Sequence, residues 1–221
     1  MSVRRFAAIG DVHAEHDRLA AALDRLAMFR LDAILCVGDV VDGRGDAARC
    51  CRLLQKHRVV TVRGNHERWL VNGEMRDLPD STAEITMDVG NWAFLAQLPP
   101  TRRIETMLGP LLLCHGIAED DMARLMPDEP VPEGLALTEL LASDYELVVG
   151  GHTHRRMVRG VSGLTFINPG TLAPDHGAHV LVCDLEERAV EFLDFDANDR
   201  LVEGPRYVFG RPGDDIWGGN W

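Results

Sequence analysis

The chain has 221 residues, of which 46% are hydrophobic and 26% charged, and its formal net charge is −12. These proportions are typical of a globular protein that is long enough to bury a core. The negative charge argues against a nucleic acid polymer as partner, although bound cations can still attract a small anion. No apolar run approaches the ~20 residues of a membrane span, so we expect no membrane partner.

The amino-terminal residues and the cysteines both favour a cytoplasmic protein. The segment Met1-Ser2-Val3-Arg4-Arg5 leads directly into a short predicted strand, without the long apolar stretch of a signal peptide. The cysteines are odd in number and lie mostly inside apolar segments, at Cys36, Cys50, Cys51, Cys114 and Cys183. Buried, reduced thiols explain this pattern better than a disulfide framework does.

The first part of the chain alternates strands and helices. Residues 3–9 predict a strand, and residues 15–29 carry leucines at helical spacing. A second strand at 32–37, a second helix at 45–56 and a third strand at 59–62 follow. This βαβαβ order predicts a parallel sheet whose loops gather at one edge.

Residues 70–108 interrupt the alternation, and we interpret them as a small cap-like insertion over the site. Within it we expect a helix from Thr82 to Gln97, because Pro99-Pro100 would stop it there. A helix is also predicted at 135–143, and strands at 111–114, 146–149, 164–167, 179–183 and 190–195. We expect a single domain over 1–208, followed by a Gly-rich tail at 209–221.

Five of the predicted strands end in short polar motifs. Ligands bind where the strands of an α/β sheet end, because backbone and side chains open into a crevice there. An Asp without a neighbouring Lys or Arg at such an end needs a cation. The motifs are Gly10-Asp11-Val12-His13, Gly38-Asp39-Val40-Val41-Asp42, Gly64-Asn65-His66-Glu67, His115-Gly116 and Gly151-His152-Thr153-His154. Together they predict one metal centre arranged around Asp39.

The donor atoms in these motifs indicate which metals would bind. Carboxylate, imidazole and amide donors without a thiolate suit Mn, Fe, Zn, Co or Ni better than Ca. The candidate ligands are Asp11, His13, Asp39, Asn65, His115, His152 and His154. Seven groups are too many for one ion and suit two divalent ions if Asp39 bridges them. Two ions ~3.5–4 Å apart are the arrangement used for in-line displacement at phosphorus. We expect manganese first, with Mg as a further alternative, and a small phosphorylated substrate.

With these motifs the sequence resembles the calcineurin-like metallophosphoesterases over about residues 5–185. The pattern of that family runs GDxH, GDxxD, GNHE, a His-Gly step and GHTH, and each part occurs here in the same order. The resemblance implies an α/β fold, a four-layer α/β/β/α sandwich of two facing mixed sheets. It also implies one ion on Asp11, His13, Asp39 and His154, and the other on Asp39, Asn65, His115 and His152.

The resemblance further implies the catalytic side chains. His66 would face the leaving group rather than a metal, with Asp42 as its orienting partner. We expect His66 to miss the metals because adjacent side chains on an extended segment point to opposite sides. Arg44 is the arginine expected to contact phosphate, ahead of Arg63.

Two departures from the family pattern leave the substrate open. Serine/threonine phosphatases usually read GDxVDRG, whereas Gly43 stands at the arginine position here and Arg44 follows it. The segment from Ile167 to Thr171 instead looks like the one that follows GHTH in small bacterial phosphodiesterases.

The expected activity is hydrolysis of small phosphodiesters or nucleotides by in-line attack of a metal-bridging hydroxide. A serine/threonine phosphoprotein phosphatase or a diadenosine-tetraphosphatase-like enzyme is the alternative. A non-catalytic scaffold on the same fold is the rival class. All seven ligands and His66 are retained, which favours catalysis, and the oligomeric state stays open.

Overall fold

The structure is a computed structural model and describes residues 2–210. Two mixed β-sheets face each other, and helices cover the outer face of each sheet. The predicted four-layer α/β/β/α arrangement is therefore confirmed. Of the predicted tail, Phe209 is buried, and residues 211–221 lie outside the described residues.

The first sheet has six strands, and its centre follows the predicted parallel order. In spatial order the strands are β11 (Leu201–Val208), β10 (Ala189–Phe195), β9 (His179–Asp184), β1 (Arg5–Ile9), β2 (Ala33–Cys36) and β3 (Val60–Thr61). β1, β2 and β3 are parallel, whereas β9, β10 and β11 are antiparallel additions on the far side of β1. The parallel half therefore brings the ends of three successive strands to one edge.

The second sheet has five strands and reaches the same edge of the molecule. Its spatial order is β4 (Arg102–Thr106), β5 (Gly109–Leu113), β6 (Leu147–Val149), β8 (Leu164–Asn168) and β7 (Met157–Val161). β5, β6 and β8 are parallel, and β4 and β7 pair antiparallel with β5 and β8. The His-Gly and GHTH motifs follow β5 and β6 directly.

Within residues 2–210, five α-helices complete the two outer layers. They are α1 (His16–Leu26), α2 (Ala47–Lys56), α3 (Asn65–Asn72), α4 (Val89–Ala96) and α5 (Leu135–Leu141). Leu19, Leu54 and Leu95 pack α1, α2 and α4 into one apolar cluster on the first sheet. α5 covers the second sheet through Leu137 and Leu140.

The alternation of side chains along β1 shows how one strand serves two layers. Ala7 and Ile9 pack in the cluster under the helices, whereas Phe6 and Ala8 pack between the sheets. Successive side chains of a strand point to opposite faces, so a strand that is buried on both faces is apolar throughout. Phe6 meets side chains of the second sheet, including Leu111, in this central layer.

The insertion predicted at 70–108 is smaller than expected. The helix expected over 82–97 is only α4, preceded by one 3-10 turn at Glu84–Thr86. The side chain of Asp88 accepts a hydrogen bond from Asn91 N at 2.8 Å and so begins the helix as its N-cap. Residues 102–106 form β4, which belongs to the second sheet. The sequence pattern also missed α3, β7 and β11.

The cysteine prediction agrees with the structure. All five cysteines are reduced and buried, and burial raises the pKa of the Cys51 and Cys114 thiols to about 12. Such thiols are unreactive at neutral pH. Within residues 2–210, no helix has both the length and the apolar character that crossing a membrane requires.

We expect Phe6→Ala to lower the free energy of unfolding by ~3–5 kcal/mol, because it opens a cavity between the sheets. Ile85, with a relative exposure of 95%, provides the matched control. Ile85→Ala should change the free energy of unfolding by less than ~0.5 kcal/mol. Urea denaturation of the metal-free protein measures both, and equal losses would contradict the central position of Phe6.

Candidate metal centre

All seven predicted ligands converge where the two sheets open at one edge. Asp11 and His13 follow β1, Asp39 follows β2, and Asn65 begins α3 directly after β3. The second sheet contributes His115, two residues after β5, and the loop after β6, which carries His152 and His154. The site thus depends on both sheets being packed face to face.

The first ligand group contains Asp11, His13, Asp39 and His154. Ligand atoms of these four side chains lie within 4.8 Å of one another. His13 Nε2 is 3.0 Å from His154 Nε2 and 3.8 Å from Asp39 Oδ2. Asp11 Oδ2 is buried and has no hydrogen-bond partner among the described residues. A buried carboxylate oxygen without a donor needs a cation, so the residues present fit a divalent ion.

The second ligand group contains Asp39, His115 and His152, whose ligand atoms also lie within 4.8 Å of one another. Asn65 Oδ1 joins them, 2.9 Å from His115 Nε2 and 3.0 Å from His152 Nδ1. His115 Nε2 is 3.3 Å from Asp39 Oδ2. Asp39 is therefore the one side chain common to both groups, which is the bridging position that the sequence predicts.

A buried glutamate, Glu67, shapes the turn that presents Asp39. Its carboxylate accepts hydrogen bonds from Asp39 N at 2.9 Å, Val40 N at 2.6 Å and Gly64 N at 2.8 Å. The turn needs this support because Asp39 has a left-handed φ of 47°. The sequence analysis did not assign Glu67 a role. A Glu at the third position of a helix, which often bonds back to the N-cap backbone, is the signal that could have found it.

The loop after β6 is held in a similar way by Asn168. Asn168 Nδ2 donates to Gly151 O and to Thr153 Oγ1, both at 3.0 Å. His152 and His154 adopt left-handed φ values of 65° and 56° on either side of Thr153. Asn168 therefore fixes a strained loop so that both imidazoles face the site.

The charges of the site respond to burial and to one another. Burial raises the pKa of Asp11 to about 6. Burial alone would also raise the pKa of Asp39, but the neighbouring imidazoles, His115 foremost, hold it below its usual value. Burial would lower the pKa of His115, but Asp39 and Asp11 raise it to about 10. An imidazole binds a metal ion only in its neutral form, so metal binding at His115 competes with protonation.

His66 lies beside the first ligand group but outside both groups. Its Nδ1 is 2.9 Å from Asp42 Oδ2, and its ring centroid is 4.9 Å from that of His13. Burial would lower the pKa of His66, but the hydrogen bond to Asp42 and the charge of Asp39 raise it. The expected extended segment is wrong, since Asn65 and His66 begin α3. Successive residues of a helix still point in different directions, so Asn65 joins the second group and His66 does not.

Arg44 does not line the site. Its side chain is 83% exposed, and its Nε lies 3.3 Å from Asp80 Oδ2. Asp42 has a left-handed φ of 59°, and Gly43 N donates a hydrogen bond to Asp80 O. These two features fix the backbone just before Arg44. Arg76 contacts Asp42 instead, with Nη1 3.0 Å and Nη2 2.8 Å from the two carboxylate oxygens. No motif marked Arg76, because it lies in an irregular loop.

The fold and this site together define a class of metal-binding α/β/β/α sandwich proteins. The profile described as the calcineurin-like phosphoesterase superfamily domain matches residues 5–188. The chain therefore belongs to the calcineurin-like phosphoesterase superfamily.

Three known proteins show how far the similarity extends. A metallophosphoesterase from Sphaerobacter thermophilus has a TM-score of 0.65 and 23% identity, covering 88% of this chain and 89% of that one. The E. coli phosphoesterase Yfce has a TM-score of 0.58 and 16% identity, covering 93% and 100%. Serine/threonine-protein phosphatase 2 of Escherichia coli (strain K12) is 30% identical over 97 residues, 37% of this chain and 44% of that protein. The match thus spans less than half the length of this curated relative.

We expect Gly64→Ala to weaken metal binding, because a Cβ there would lie 2.2 Å from Asp39 Oδ1 and the shared carboxylate would have to move. Calorimetric titration with Mn²⁺ should show ~10–100-fold lower affinity. Gly134→Ala is the control, since a Cβ there meets no described atom within 4 Å. Equal affinities for the two variants would contradict the placement of Asp39.

Proposed function

We propose that this chain is a dinuclear metal-dependent hydrolase of small phosphodiesters or nucleotides. The observation that carries the proposal is the single buried carboxylate, Asp39, shared by two groups of converging ligand atoms. A site for one ion would not need the second group. Beside the first group lies an imidazole, His66, that belongs to neither group.

The two ligand groups would each hold one divalent ion. Asp11, His13, Asp39 and His154 would hold the first, and Asp39, Asn65, His115 and His152 the second. When bound, the ions would supply a water of lowered pKa and stabilise the negative charge on the oxygens of the reacting phosphoryl group. Manganese is the first expectation for this donor set, with Fe, Zn, Ni, Co or Mg as alternatives.

His66 would act as the general acid for the leaving group. The Nδ1–H that faces Asp42 fixes the ring, which leaves Nε2–H to donate a proton to the departing oxygen. Nearby cations would lower the pKa of His66 and favour loss of this proton. The carboxylate of Asp42 opposes that effect, because it stabilises the protonated ring.

The charge of the site favours a phosphodiester over a phosphorylated protein. Two divalent ions against Asp11 and Asp39 leave a charge of +2, which one proton lost from water reduces to +1. A singly charged diester matches this charge, whereas a doubly charged monoester calls for a further cation. Arg44 is turned to solvent, and Arg76 is engaged by Asp42, so neither supplies that cation.

The alternative substrate is a phosphoprotein, which the partial identity with a serine/threonine phosphatase favours. A diadenosine tetraphosphatase-like activity would use the same residues. A non-catalytic scaffold would bind metals without turnover, so the two tests that follow separate these classes.

We expect two divalent ions per chain after loading with Mn²⁺, because two ligand groups are present. Asp39→Asn removes the charge that both ions would share and should reduce the stoichiometry below two. Elemental analysis after desalting measures this. Glu203→Gln is the control, because Glu203 lies on β11 far from the site and should leave the stoichiometry at two. A wild-type protein that saturates at one ion would exclude the dinuclear proposal.

We expect kcat/KM to be higher for small diesters and dinucleotides than for phosphopeptides. The test is a panel of mono-, di- and dinucleotide phosphate esters and phosphopeptides, assayed with Mn, Ni, Mg and Zn. The phosphopeptide ranking first, with no diesterase activity under any metal, would reverse the substrate proposal. Absence of turnover on the whole panel by a protein loaded with two ions would support the scaffold instead.

A further inference from the structure

The carboxylate of Asp42 is held far more tightly than one orienting hydrogen bond requires. Its Oδ2 faces His66 Nδ1 at 2.9 Å and accepts from Arg76 Nη2 at 2.8 Å. Its Oδ1 accepts from Arg76 Nη1 at 3.0 Å and from Thr82 N at 2.7 Å. The side chain is only 3% exposed. Both oxygens are thus engaged by groups other than His66.

Arg76 is itself fixed within its loop. Its Nε donates to Glu74 O at 2.7 Å, and Ser81 Oγ donates to Arg76 O at 2.9 Å. The guanidinium therefore donates through Nε to its own loop and through both terminal nitrogens to Asp42. A planar fork of this kind matches a carboxylate at two points, which a lysine cannot do. Such an arginine positions a carboxylate and is not available to bind phosphate.

The same loop also holds the backbone of Asp42. Asp42 N donates to Thr82 Oγ1 at 2.8 Å, and Gly43 N donates to Asp80 O at 2.9 Å. Asp42 has a left-handed φ of 59°, a conformation that persists only when the surroundings enforce it. Asp42 O in turn faces His13 Nδ1 at 2.9 Å. Residues 74–82, which we call the brace, thus support both the acid and one predicted ligand.

We propose that Arg76 is a positioning residue for the general acid, and that the brace acts by fixing Asp42 rather than by covering the site as a lid. The proposal rests on the proposed role of His66. Without the arginine fork, the carboxylate can rotate about its terminal torsion, which is intrinsically soft. His66 then loses the fixed acceptor that orients its ring.

A positioning role and a purely structural role differ in their dependence on the leaving group. A misplaced acid slows the departure of a basic oxygen but hardly affects a leaving group that departs as a stable anion. A loop that merely loosens the site would slow both. The pair of substrates is therefore phenyl methyl phosphate and 4-nitrophenyl methyl phosphate, which differ in the basicity of the leaving phenol.

In the Mn²⁺-loaded protein, Arg76→Ala should lower kcat/KM for phenyl methyl phosphate ~10–100-fold. The loss for 4-nitrophenyl methyl phosphate should be only about twofold, because little protonation is required. Arg76→Lys keeps the charge without the fork and should fall between the wild type and Arg76→Ala. Arg206→Ala is the matched control, since Arg206 pairs with Glu187 at the surface, and it should behave as the wild type. Equal losses on both esters, or none, overturn the proposal.

Two further measurements separate the positioning role of Arg76 from the proposed function of the whole site. Combined with Asp42→Asn, the Arg76→Ala loss should be far from additive, because the arginine has no carboxylate left to hold. In the Mg²⁺-loaded protein, the downfield NMR signal of the His66 Nδ1 proton should be present in the wild type and lost in Arg76→Ala. An unchanged signal overturns the positioning role, whatever the activity shows.

His66→Ala serves as the reference variant. A ~10²–10⁴-fold loss on phenyl methyl phosphate supports His66 as the acid. If that loss occurs and Arg76→Ala behaves as the wild type, the brace proposal alone fails. If His66→Ala has no effect on either ester, the proposed function fails at its acid, whereas the NMR signal still reports whether Arg76 orders the pair.

Discussion

The packing of the two sheets depends on one constraint, which is that the buried negative charge of Asp39 must be compensated. Asp39 is 1% exposed at the end of the central parallel strand pair, where an unpaired charge would be costly. His115 approaches it from the second sheet at 3.3 Å, and His66 N donates to it at 3.0 Å. Both sheets and α3 must therefore meet at this carboxylate. The position of Gly64 follows from the same constraint, since any side chain there would collide with Asp39.

Left-handed backbone conformations recur among the residues at this edge of the molecule. Left-handed φ values occur at three predicted ligands or catalytic residues of the first sheet, His13, Asp39 and Asp42. The loop after β6 adds His152 and His154. Such conformations cost roughly 1–3 kcal/mol each and persist only where the surroundings enforce them. Here hydrogen bonds with Glu67, Thr82 and Asn168 support the turn of Asp39, the backbone of Asp42 and the loop of the two histidines.

Three side chains outside the ligand groups each hold one turn or loop of the site. Glu67 closes the turn of Asp39, Asn168 holds the histidine loop, and Arg76 holds Asp42. Each support comes from a segment other than the one it holds. The predicted ligands and the side chains that support them are therefore encoded in different parts of the chain.

The sequence by itself determined the parts of this protein that local pattern specifies. Apolar runs that end in Gly-Asp, Gly-Asn-His or Gly-His steps located the strands, their shared edge and all seven side chains that converge there. The order βαβαβ was sufficient for the parallel half of the first sheet, because right-handed crossovers leave few other arrangements. The Asp42–His66 pair followed from the family motifs, and the structure places them in contact.

The tertiary structure alone decided what depends on distant segments. Arg76 reaches Asp42 from an irregular loop, a contact over 34 positions of the chain that no periodicity marks. Arg44 lies next to the motif, but its side chain is turned to solvent. The backbone just before it has a left-handed Asp42 and a hydrogen bond from Gly43 N to Asp80 O. β4 pairs with β5 in an antiparallel hairpin. Residues 102–106, which the sequence placed in the cap, therefore form the edge strand of the second sheet. The local sequence pattern indicates which residues face a core. The partner of a buried charge depends instead on which segment the tertiary packing brings within hydrogen-bond distance.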